Sequence, residues 1–325
     1  MPVIQNRDYK PPFIFKSNHL NTIVPALFRK VNSIEYIRYR IETNDNDFID
    51  IDRSSVNAKT AAIITHGLEG NSHKPYIKGL AKTLNEIGID AIAVNLRGCS
   101  GESNLLLSSY HSGKTDDLGT IIDFVKQKWE YEKIVLIGFS LGGNITLKYV
   151  GEQGKGIPDF VKLAVGISVP CDLKSSALYL SKVSNWAYLQ RFLLTLKKKA
   201  LEKIDKFDAT TIKREDIKKT KSFFEFDNLF TAPIHGFMDA EDYWAKCSCK
   251  QFLSSISIPT LIINAKDDPF LPDECYPYSE ANDNPFIFFE VPEYGGHVGF
   301  MTKTNFKHHF WHELRIASFL NCKLN

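Results

Sequence analysis

The sequence predicts the α/β class: a mostly parallel central sheet with helices on both faces, and a helical cap inserted before the strand that carries a candidate acid. Three observations predict it. From Ala61 onward, short apolar runs alternate with stretches whose apolar residues recur at helical spacing, the pattern of βαβ units. Residues 172–255 then break the alternation, and apolar runs resume at Pro259. Finally, Gly138-Phe139-Ser140-Leu141-Gly142 joins the apolar run 133–137 to a helical stretch. A strand, a tight glycine-flanked turn with Ser at its apex, and a helix are the context of a nucleophile elbow.

Taken in order, residues 1–60 read as an N-terminal arm with edge strands packed on the core. Pro11-Pro12 and Ser17-Asn18-His19-Leu20 suggest extended chain with turns, and 34–41 and 48–52 suggest strands. The core spans 61–171 and 256–325. Residues 61–65 form an apolar run ending in His66-Gly67-Leu68-Glu69-Gly70. Asn71-Ser72 offers a cap and Pro75 a first turn for the next helix, which Gly88 ends. The run 89–96 leads to Arg97-Gly98-Cys99, and a helix starts near Thr115 with Leu118, Ile121, Ile122 and Val125 on one face. After the Ser140 turn come its helix and the run 163–167.

In the inserted segment, Tyr179 to Leu196 carries one apolar helical face. Between Lys197 and Lys221 there are ten Lys or Arg and five Asp or Glu, a local excess of five positive charges. A solvated helix face accounts for such a run, and attraction to anionic lipid surfaces is the sharper alternative, a peripheral membrane contact. The last runs, 259–265 and 286–291, end in Lys266-Asp267-Asp268-Pro269 and Gly295-Gly296-His297-Val298-Gly299-Phe300. A final helix is expected to carry Phe306, Phe310, Leu314 and Ala317.

Composition excludes some functions. The chain of 325 residues is 43% hydrophobic and 24% charged, which supports a sizeable core. A net charge of +2 gives no case for nucleic-acid binding. The first residues lack an apolar signal-peptide region, and no apolar stretch approaches a membrane span. With six scattered cysteines, the expectation is a cytoplasmic protein with reduced thiols. Cys247-Ser248-Cys249 lacks zinc spacing, and His308, His309 and His312 read as a solvated helix surface, so neither a metal nor another cofactor is expected.

Candidate chemistry follows from chain order. A serine hydroxyl is a weak nucleophile without a base, and the base needs a third group to fix its tautomer. Ser140, then Asp267 or Asp268, then His297 each follow the carboxyl end of an expected strand, where α/β sheets gather ligands. Asp268 is favoured because it immediately precedes a proline turn, which leaves Asp267 to cap that turn or pair with a cation. The backbone N–H groups of Leu141 and Leu68 are the candidate oxyanion donors. His66 is expected to orient that loop and, with Tyr110, Phe139, Phe237 and Phe300, to line a substrate pocket, although aromatic residues are more often core. A structural hydrogen bond is expected of His111.

These motifs resemble the YheT branch of the α/β-hydrolases, which also includes the animal α/β-hydrolase-domain proteins 1 and 3. The resemblance covers almost the whole chain. It rests on Asn18-His19-Leu20-Asn21-Thr22-Ile23, His66-Gly67-Leu68-Glu69-Gly70, Asn95-Leu96-Arg97-Gly98-Cys99-Ser100-Gly101 and Tyr110-His111-Ser112-Gly113, together with the Ser140, Asp268 and His297 strings. It implies an α/β-hydrolase fold and a Ser140–Asp268–His297 triad acting on carboxylic esters, of short or medium acyl chains or of lipids. An acyltransferase or thioesterase with the same triad, and a catalytically silent binding protein on the same fold, are the alternatives.

Overall fold

Continuous apolar runs become strands buried on both faces, because each side of the sheet is covered by helices. The computed structural model describes residues 3–4, 9–208, 211–303 and 309–324. Among them a single nine-stranded sheet comprises β1 (Val3–Ile4), β2 (Ile37–Glu42), β3 (Phe48–Ser54), β4 (Thr60–Thr65), β5 (Asp90–Asn95), β6 (Lys133–Phe139), β7 (Val161–Ile167), β8 (Thr260–Ile263) and β9 (Ile287–Glu290). Their order is β1-β9-β8-β7-β6-β4-β5-β3-β2. Pairing is parallel from β1 to β5, whereas β3 runs antiparallel to both β5 and β2.

Strand alternation divides the core in two. Ala61, Ile63, Ile134 and Leu136 face one layer, packed with Ile121 and Ile122 of helix Thr115–Trp129 and Leu147 of helix Leu141–Gln153. Ala62, Ile64, Val135 and Ile137 face the other, with Leu80 and Leu84 of helix Pro75–Glu86 and Ile316 and Leu320 of helix Trp311–Leu324. The parallel register from β1 to β5 ends all of those strands in the same direction. The loops after β4, β6, β7, β8 and β9 therefore meet along one edge of the sheet.

Three local expectations need correction. The arm is not extended at Ser17: Asn18–Phe28 is a helix, with the Ser17 hydroxyl accepting from Leu20 N–H. Its stability comes from docking, since Asn21, Thr22 and Pro25 are buried while Leu27 and Phe28 stay exposed. Between β7 and β8 the apolar face from Tyr179 to Leu196 is split into helices Leu173–Leu180 and Trp186–Phe207, and Val183 and Trp186 lie exposed at the break. The remaining insertion is helical too, including a wide π turn at Asp227–Thr231, and its last turn, Cys249–Ser255, lies against Gly151 of helix Leu141–Gln153. His309 and His312 do not form a solvated face. His312 is fully buried between Phe139 and Phe300, and His309 meets Thr83 and Glu86. Phe306 and His308 lie outside the described residues.

Candidate active site

The turn after β6 puts Ser140 in a conformation that L-residues rarely adopt, φ 52° and ψ −121°. Holding it there costs about 1–3 kcal/mol, so the surroundings must over-determine it. They do so through backbone. Ser140 N–H donates to Ile167 O at 2.8 Å, and its carbonyl accepts from Asn144 N–H at 3.0 Å. A Cβ at Gly138 would run into the Gly142 carbonyl, and one at Gly142 into the Thr65 carbonyl. A Cβ at Gly67 would stand 3.0 Å from Ser140 Cβ, so the loop after β4 passes directly over the serine.

The loops after β8 and β9 bring the acid and the imidazole together. Asp268 Oδ2 and Oδ1 lie 2.9 and 3.1 Å from His297 Nδ1, and Asp268 Oδ1 also accepts from Phe270 N–H at 2.9 Å. The Phe270 ring covers the imidazole at 4.1 Å between centroids. Asp267 does something else: its Oδ1 accepts from Gly296 N–H at 2.9 Å and shapes the loop, while burial pushes its carboxyl up to about 7.

The arm helix clamps this loop from outside. His297 N–H donates to Thr22 Oγ1 at 2.8 Å, and the Thr22 hydroxyl donates to Asn18 O at 2.7 Å. Asn21 Oδ1 accepts from Met301 N–H at 3.2 Å, and a side chain at Gly299 would strike the Asn21 backbone. Sequence reasoning missed Asn21 and Thr22 as site residues. The available signal was the Asn18-His19-Leu20-Asn21-Thr22 string, polar at the faces a docked helix turns inward.

His66 is fully buried and neutral, its imidazole pushed down to about 4 by desolvation. Leu96 N–H donates to Nε2 at 3.2 Å, which leaves the proton on Nδ1 to donate to Gly67 O at 2.7 Å. That bond fixes the loop carrying Leu68. Among the described residues, neither Leu68 N–H nor Leu141 N–H donates to another protein atom, and both residues border the space in front of Ser140. Next to them, Glu69 Oε1 accepts from the Tyr110 hydroxyl at 2.6 Å and from Lys199 Nζ at 3.0 Å.

Ser140 and His297 open onto two cavities, of about 430 and 230 Å3. The larger is walled mainly by the insertion, with Leu180, Phe192, Phe226 and Phe230, and by Leu271 of the loop after β8. Tyr110 borders it, and so does His111, whose Nδ1 also accepts from Gly113 N–H. Four expected pocket residues do not line either cavity. His66 is sealed beneath its loop. Phe139 points to the opposite face of the sheet, against Tyr76, because it is the last alternating position of β6. Phe300 is buried against Tyr9 and Trp311, and Phe237 packs on His111 and Tyr243.

The lysine-rich helix is engaged rather than simply solvated. Lys199 pairs with Glu69, Lys203 and Lys206 donate to the carbonyl of Asn104, and Lys197 donates to Lys218 O at 3.0 Å. Burial pushes Lys203 down to about 8. Lys203 and Lys206 tie the insertion to the loop after β5 and Lys199 ties it to the loop after β4, while Lys197 braces the insertion internally; Lys198, paired with Glu202, is the most exposed of the ion-paired lysines in the run.

Residues 62–304 match the family model described as the alpha/beta hydrolase fold. The chain is 35% identical over 316 residues to the protein named "Putative esterase YheT" of Escherichia coli (strain K12), covering 95% of this chain and 92% of that protein. It is 28% identical over 309 residues to phospholipase ABHD3 of Bos taurus, covering 92% and 74%. Over 286 residues it is 30% identical to the medium-chain fatty acid ethyl ester synthase/esterase 2 of Saccharomyces cerevisiae, covering 79% and 61%. The solved esterase Pf2001 of Pyrococcus furiosus shares the fold with a TM-score of 0.62 at 19% identity, covering 91% of this chain and 96% of that one. No helix among the described residues is long and apolar enough to cross a membrane.

Proposed function

Because this chain belongs to the α/β-hydrolase family, in its YheT-like branch, we propose that it is a serine hydrolase of carboxylic esters acting through an acyl-enzyme on Ser140. The observation that carries the reading is that His297, held by the buried Asp268, opens onto the same two cavities as the strained serine.

In this mechanism Asp268 accepts the Nδ1–H of His297, which leaves Nε2 free to take the proton from the Ser140 hydroxyl. The Ser140 oxygen attacks the acyl carbon, and the N–H groups of Leu68 and Leu141 receive the charge that develops on the carbonyl oxygen. The bond to the alcohol breaks, and His297 returns the proton to the departing oxygen. Water then repeats the sequence and frees the acid. Residues 172–255 act as the cap whose apolar wall limits acyl length, over a core of 61–171 and 256–325 held by the arm 1–60.

A fluorophosphonate probe is expected to label Ser140 in the folded protein, together with turnover of 4-nitrophenyl esters from acetate to dodecanoate. Folded protein that neither takes the label nor turns over any ester sinks the reading. The yeast relative named as both ester synthase and esterase favours a second acceptor. Added ethanol giving ethyl ester in place of free acid would identify transfer rather than hydrolysis.

Thr22 is a positioning residue in this scheme, since its hydroxyl holds the His297 backbone. Thr22→Val leaves that N–H without its acceptor and is expected to lower kcat by about tenfold with KM little changed. Thr22→Ser should restore kcat. Equal loss in both variants would remove the hydroxyl from the argument.

A further inference from the structure

We propose that the smaller cavity is the alcohol arm of the site and takes an alcohol that carries an anion, a phosphate or a carboxylate, held between Lys74 and Arg191. This rests on the serine-esterase reading above. The two cavities share Ser140, His297, Leu68 and Phe270, so they meet where the ester would be cleaved. Leu141 borders only the larger one, whose walls are apolar and aromatic. The smaller one runs from His297 past Val298 and Gly67 to Lys74 and Arg191. The departing oxygen must take its proton from His297, so the alcohol lies on the His297–Val298 side and the acyl chain enters the apolar cavity.

The charges in that arm have no bonded counter-ion, and Glu69 attracts Lys74 only from beyond ion-pair distance. Among the described residues, neither the Lys74 ammonium nor the Arg191 guanidinium makes an ion pair or a side-chain hydrogen bond, although both border one cavity. Other inward cations have bonded partners: Arg29 pairs with Glu313, Arg97 with Asp117 and Lys199 with Glu69, and Lys203 donates to the Asn104 carbonyl. Lys74 and Arg191 instead oppose each other: after burial, the Arg191 charge is the next cause lowering the Lys74 pKa. An anion between two such cations relieves the repulsion and gains charge-assisted hydrogen bonds. Lys74 also caps helix Pro75–Glu86, whose positive end lines the same space. The carboxylate in the cavity, Glu69, is already held by Tyr110 and Lys199. Arg29, also in the lining, is committed to Glu313.

The test compares kcat/KM for three octanoyl esters that differ only in their alcohol: glycerol, glycerol 3-phosphate and 3-hydroxybutyrate. Wild-type protein is expected to favour at least one anionic ester over the neutral one by about tenfold or more. Lys74→Gln and Arg191→Gln should each cut that ratio by about tenfold, as should raised salt, while Lys74→Arg keeps it. Using a ratio cancels any loss of folded protein. The larger ratio identifies phosphate or carboxylate as the preferred anion. A wild-type ratio near one, or a ratio that both glutamine variants leave unchanged, overturns the proposal while the esterase reading stands. Failure to cleave any of the three by protein that still turns over 4-nitrophenyl esters also overturns this proposal alone; failure on those esters and with the fluorophosphonate label as well overturns the esterase reading with it.

Discussion

Ser140→Ala is expected to lower ester turnover by roughly 10⁵-fold without unfolding the protein. The size follows from how the parts depend on one another. Without the serine oxygen there is no acyl-enzyme, and His297 and Asp268 have nothing to activate except water. What remains is the contribution of binding and of the Leu68 and Leu141 N–H groups, roughly 10³–10⁴ over the reaction in water. The fold should survive because the turn is held by backbone bonds: Ser140 N–H to Ile167 O and Asn144 N–H to Ser140 O. Alanine keeps both, and it keeps the Cβ against which Gly67 packs. Turnover of a 4-nitrophenyl ester and a thermal melt on the same sample check both halves. Full activity in a folded Ser140→Ala protein would end the nucleophile assignment.

The sheet and the serine turn were legible in the sequence for a common reason. Burial on both faces forces apolar runs such as 61–64 and 134–137, and the crowded backbone at Gly138 and Gly142 excludes side chains. Both constraints act locally, so they leave a local trace. The arm helix was not legible because its reason for folding is distant: Asn21 and Thr22 are satisfied by Met301 and His297, some 275 residues away. The pocket aromatics failed in a related way. Phe139 and Phe300 have the composition of a lining, yet strand alternation and loop packing turn them into the core opposite the cavity. The insertion supplied the actual wall, Phe192 and Phe226 among it, and periodicity does not say which face of a cap helix looks inward. The lysine run misled for the same reason. Charge counts treat a run as surface, whereas Lys199 and Lys203 reach inward to Glu69 and to the Asn104 carbonyl.

The two neighbouring aspartates separate the same kinds of information, and substituting them should give opposite outcomes. Asp268→Asn is expected to lower kcat by roughly 10⁴-fold. Its carboxylate accepts from His297 Nδ1 and from Phe270 N–H, and an amide there can present N–H to the imidazole. The ring then carries its proton on Nε2, where it blocks transfer from Ser140. Asp267→Asn keeps an oxygen for Gly296 N–H, so the His297 loop stays in place and activity should fall by less than about tenfold. Its effect appears in stability instead. Burial raises the Asp267 carboxyl to about 7, above the unfolded value near 3.9. The folded state therefore binds the extra proton between those values. Stability is fully present below about pH 4 and is lost as pH rises through about 7. Asparagine has no such proton to lose, so the melting temperature of Asp267→Asn should fall less than that of wild type across this window. If Asp267→Asn caused the larger loss of kcat, the acid would move to Asp267; parallel pH slopes in the two proteins would mean that the Asp267 carboxyl ionises in the loop as readily as in the unfolded chain.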